Sequence, residues 1–72
     1  MKNLNDIKET FSKGNQNARL DLDNGLTYWF NIAELRINQD IHGWVSNRAP
    51  LYYDNEVKFY SAVARILRKQ TR

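Results

Sequence analysis

Five basic residues, Lys58, Arg65, Arg68, Lys69 and Arg72, fall together when the stretch from Asp54 to Arg72 is wound as a helix. At roughly 100° per residue they occupy a single arc of about 100°. Such a stripe suits phosphates, because each ammonium or guanidinium neutralises one phosphate and releases condensed counterions. The whole chain carries only +3, from 11 Lys and Arg against 8 Asp and Glu. Outside the stripe six cations face eight acids, a net −2, so the positive charge is localised. Cations near a helix C-terminus are favoured by the helix dipole, which accounts for Arg68, Lys69 and Arg72 on structural grounds alone. The dipole does not account for Lys58, near the helix start, or for the lack of an acid inside the stripe. Exposed helix faces ordinarily mix signs. If all five residues met phosphates, log affinity would fall with log salt at a slope of about −4 to −5.

A second group is aromatic. The hairpin register argued below turns Trp29 away from the main core, and a strand over 41–45 would do the same for Trp44. Arg19 and His42 would share that surface, with Tyr52 and Tyr53 in the following loop. Aromatics on a sheet face stack unpaired bases. Trp, Tyr and Arg also dominate protein interface hot spots. The same side chains could instead close a small second core beneath residues 46–53. Arg19, Trp29, Trp44 and His42 are therefore the candidate interface residues beside the basic stripe.

Other chemistries find little support. Asp21-Leu22-Asp23-Asn24-Gly25 suggests a calcium loop, but such a loop needs Gly at its sixth position and Glu at its twelfth. Here Gly25 is fifth and Ile32 is twelfth, and a hairpin turn explains the whole motif. His42 is the only histidine and cysteine is absent, so neither a metal site nor a nucleophile–base pair assembles around them. Gly14, Gly25 and Gly43 are isolated and form no phosphate loop. Asp21, Glu34 and Asp40 could converge, but their spacing does not predict it. The expectation is a nonenzymatic protein with no cofactor and no metal.

The elements that must position these residues follow from periodicity. Residues 3–13 predict a short helix, with Leu4, Ile7 and Phe11 on one face, Asn3 as cap and Asp6 at the positive end of the dipole. Gly14 fits the left-handed position just past it. Ala18–Leu22 and Leu26–Ile32 flank Asp23-Asn24-Gly25 as a hairpin. A two-residue loop would mix polar and apolar residues on both faces. A three-residue loop, with Gly25 in a left-handed bulge, pairs Leu22 with Leu26 and Leu20 with Tyr28. It gathers Ala18, Leu20, Leu22, Leu26, Tyr28, Phe30 and Ile32 on one face. Because a one-residue slip moves whole side-chain sets between faces, the three-residue loop is expected.

Residues 31–49 read two ways. Asn31 and Glu34 resemble a capping box for a short helix to about Gln39, while Leu35 and Ile37 alternate as in a strand. A third strand is expected near 41–45. Asp54 or Asn55 should cap a long helix over 54–70, whose buried half would hold Val57, Phe59, Tyr60, Val63, Ala64, Ile66 and Leu67. The predicted fold class is α+β: a short N-terminal helix, a small antiparallel sheet, and a long C-terminal amphipathic helix packed on one sheet face.

Seventy-two residues predict one small domain, 1–72, that is marginally stable without staples. No apolar run reaches membrane-spanning length, and the absence of cysteine is compatible with a reducing compartment, so a soluble cytoplasmic protein is expected. A hydrophobic content of 42% argues against disorder.

Two family resemblances arise. Trp44-Val45, Pro50, Val57-Lys58-Phe59 and Ser61-Ala62-Val63 resemble the excisionase-like winged-helix pattern across about a third of the chain. That likeness implies a helical 41–45 and a DNA-binding wing over 52–59. The helix–three-strand–helix order also resembles double-stranded-RNA-binding domains. That likeness implies a basic cluster at the start of the last helix, where this chain has Asp54 and Glu56. The leading expectation is a small nucleic-acid-binding or regulatory module. The alternatives are a protein-binding inhibitor or adaptor docking on an acidic partner surface, and an excisionase-like DNA-binding protein. A homodimer through the exposed sheet face is a further expectation.

Overall fold

The computed structural model describes residues 2–23, 25–41 and 49–70. Helix α1 spans Leu4–Ser12 and strands β1, β2, β3 and β4 span Asn17–Asp21, Leu26–Asn31, Arg36–Ile41 and Leu51–Tyr52. Helix α2 spans Glu56–Leu67. The strands form one antiparallel sheet in the order β1-β2-β3-β4.

Local chemistry sets the ends of α1. The Asn3 side chain accepts from the Asp6 amide, and the Asp6 carboxylate accepts from the Asn3 amide, a complete capping box. Gly14 then takes a φ of +98°, which a residue with a Cβ adopts only under strain.

The first hairpin has the expected register. Leu20 pairs with Tyr28 and Ala18 with Phe30, while Gly25 closes the three-residue loop at φ +89°. The Leu22 amide donates to the Leu26 carbonyl at 2.8 Å, which fixes the loop length. Ala18, Leu20, Leu22, Tyr28 and Phe30 are accordingly buried.

The following segment takes the strand reading of 31–49 from Arg36 onward and not the helical one. The Asn31 side chain does accept from the Glu34 amide at 2.9 Å, as a cap would. No helix follows, because Leu35 takes a left-handed φ of +52° and turns the chain back. The third strand therefore begins at Arg36, earlier than expected, and Ile37 pairs with Phe30 and enters the core. Most of the expected 41–45 strand lies outside the described residues. Strand β4, which the sequence reading assigned to loop, pairs Leu51 with Ile37 and Tyr52 with Arg36.

Helix α2 is shorter than the expected 54–70, and its cap is Asn55, whose side chain accepts from the Lys58 amide at 3.0 Å. Its Phe59, Ala62, Val63 and Leu67 meet Ile7 of α1 and the apolar sheet face in one core. Phe59 stands at the centre, with the rings of Phe11, Tyr53 and Tyr60 around it at 5.3–6.3 Å between centroids. Val57 is a correction: it is 77% exposed and not part of that core. It lies about 160° around the helix from Phe59, so it points away from the sheet. No helix among the described residues is long and apolar enough to cross a membrane.

Candidate nucleic-acid interface

The helix sets the basic residues along one side of α2, but their neighbours differ from end to end. Lys58 sits one turn after Asp54, and its Nζ lies 3.5 Å from the Asp54 carboxylate. That i,i+4 pair places an acid beside the stripe. Arg65 occupies the last turn, and Arg68 is the C-cap, its amide donating to the Ala64 carbonyl at 3.2 Å while the Lys69 amide donates to the Ile66 carbonyl at 2.9 Å. Both are exposed. Lys69 follows in the terminal turn and leans on the sheet, its Nζ 3.5 Å from the Tyr28 hydroxyl and 5.8 Å from that ring's centroid. Arg72 lies outside the described residues.

The structure adds a residue that spacing does not reveal. The Lys2 amide donates to the Gln70 side chain at 3.1 Å, and the Gln70 side-chain amide donates to the Lys2 carbonyl at 2.7 Å. The Lys2 ammonium donates to the Arg19 carbonyl at 2.9 Å on the outer edge of β1. The N-terminal backbone is thereby tied to the end of α2, with the Lys2 ammonium held at the adjoining edge of β1. Sixty-eight positions separate Lys2 from Gln70, and no local sequence signal connects them.

Arg19 and Trp29 face each other across β1 and β2, on the sheet face that the helices leave uncovered. The Arg19 guanidinium lies 5.3 Å from the Trp29 ring centroid and 3.1 Å from the Asp21 carboxylate. Arg36 and Tyr52 are paired positions on the same face, and Tyr52 is 63% exposed. Arg36 is held by Glu34 at 3.1 Å. His42 and Trp44 lie outside the described residues.

The charges sort clearly. Lys13, Arg19, Arg36 and Lys58 each have a carboxylate partner. Lys8 lies over the Tyr60 ring, Lys69 over Tyr28, and Lys2 on a carbonyl. Among the described residues, only Arg65 and Arg68 have no acid, aromatic ring or carbonyl as a partner for their charge.

No family model, curated protein or solved structure matches this chain. The winged-helix likeness requires a wing where Glu56–Phe59 are helical. The element order of a double-stranded-RNA-binding domain is present with β4 added, but Asp54 and Glu56 stand where that family's cations would be.

Proposed function

We propose that this chain is a nonenzymatic module that binds nucleic acid through the C-terminal end of α2. The observation that carries the proposal is the pair of exposed, unpartnered guanidiniums, Arg65 and Arg68. Lys69 and Lys2 stand beside them at the same end of the helix. Arg65 and Arg68 need break no ion pair to meet a phosphate, and guanidinium forks match phosphate oxygens bidentately. Four cations engaging phosphates would give a slope of log affinity against log salt of about −3 to −4.

Fluorescence anisotropy with labelled single-stranded DNA, duplex DNA and duplex RNA at low salt tests the proposal. Arg65→Glu with Arg68→Glu should abolish binding while circular dichroism and melting stay unchanged. Undiminished binding by that variant, or no binding to any of the three by the parent protein, would refute it.

One observation favours a second reading, a protein partner. The open sheet face presents Trp29 stacked under Arg19 together with the exposed Tyr52, the residue types that anchor protein interfaces. A pull-down after nuclease treatment separates the two readings. A stoichiometric protein that survives nuclease and is lost with Trp29→Ala would favour the sheet face.

A further inference from the structure

We infer that two copies of this chain associate through α2, laid antiparallel against the α2 of the second copy. The inference goes beyond nucleic-acid binding and does not depend on it. Val57, Ser61, Ala64 and Arg68 recur at intervals of four, three and four, so they form one seam along the helix. Val57, an apolar residue 77% exposed, lies at one end of the seam. The seam borders an open groove between α1 and α2, whose α1 wall is Leu4 and Lys8.

Size and charge select both the occupant and its direction. Ser61 and Ala64 are small and central, which lets a second helix approach closely. An antiparallel pairing symmetric about that centre sets Ser61 against the partner's Ala64, and Val57 against the aliphatic stem of the partner's Arg68. Glu56, exposed at the acidic start of the helix, then reaches the partner's Arg68 guanidinium, which has no acid in its own chain among the described residues. The two-fold axis makes that pair twice. A parallel arrangement would oppose like charges at both ends. The seam is small beside a standard interface, so the dimer is reversible. Arg65 and Lys69 lie about 70–110° around the helix from the seam. The two-fold axis would place Arg65 and Lys69 of both copies on one surface, whereas Arg68, free in the monomer, is paired in the dimer.

Sedimentation velocity on the nucleic-acid-free protein, up to about 1 mM, tests the inference. The parent protein should shift from monomer toward dimer with concentration. Glu56→Arg alone, or Arg68→Glu alone, should weaken association about tenfold, and the double exchange should restore it. Restoration rules out misfolding as the cause of the single-variant loss. A parent protein that stays monomeric throughout, or a double exchange that stays as weak as the singles, overturns the inference. Because no nucleic acid is present, neither result depends on whether phosphates bind.

Discussion

The two ends of α2 carry opposite charge and stand in opposite relations to their surroundings. At the N-terminal end Asp54 holds Lys58, Glu56 complements the dipole, and the Asn55 side chain satisfies a free amide. The one cation at that end already has its acid within the chain. At the C-terminal end Arg65 and Arg68 complement the dipole but meet no carboxylate among the described residues, and the Lys2 backbone is drawn in beside them. A stripe that spacing alone presents as uniform is thus a neutralised half and an available half. Charge spacing reports where cations sit; the neighbours decide which of them an outside anion can use.

Both ends keep their places because α2 is held against the sheet, and Phe59, fully buried between them, is the anchor. Phe59→Ala should cost about 3–5 kcal/mol, which for so small a domain approaches global unfolding. Urea denaturation would measure it, and both ends should lose their distinct behaviour together. The next largest effect separates the ends directly. Arg65→Gln with Arg68→Gln should weaken nucleic-acid affinity about a hundredfold at low salt. Lys58→Gln should change it less than about threefold, since its exposed pair with Asp54 contributes little to stability and its charge is already countered. Equal losses from the two ends would erase the distinction.

Smaller effects sharpen the N-terminal side. Asn55→Ala should cost about 1 kcal/mol of stability, read as a lower urea midpoint, with affinity retained under native conditions. Tyr60 supplies a pH test. Burial, and then the neighbouring Glu56 carboxylate, hold its phenol above the ordinary value of 10.0. The folded protein therefore keeps that proton more tightly than the unfolded chain does. The site's contribution to stability is complete below the unfolded value and declines as pH rises through the folded one. Tyr60→Phe should flatten the alkaline end of the stability profile and leave neutral pH nearly unchanged.

Much of this arrangement is legible in the amino-acid sequence. The hairpin register followed from face segregation, because only a three-residue loop put Leu20, Tyr28 and Phe30 on one side. The third strand was harder to read. Asn31 and Glu34 carry a helix-start signal that the structure uses to cap a turn, and nothing in a leucine announces the left-handed backbone of Leu35. Val57 sits at the edge of the apolar half of the wheel, about 160° from Phe59, and the core covers a narrower arc than that half. The Asp54–Lys58 pair is readable in the sequence as an i,i+4 contact. The approach of Lys2 to Gln70 depends on tertiary packing and had no local signature.

The salt dependence of nucleic-acid affinity, compared between the parent protein and Arg65→Gln/Arg68→Gln, tests the central claim most directly. If the two free guanidiniums at the end of α2 contact phosphates, removing them should make the slope shallower by about 2. Identical slopes for the two proteins would contradict the claim.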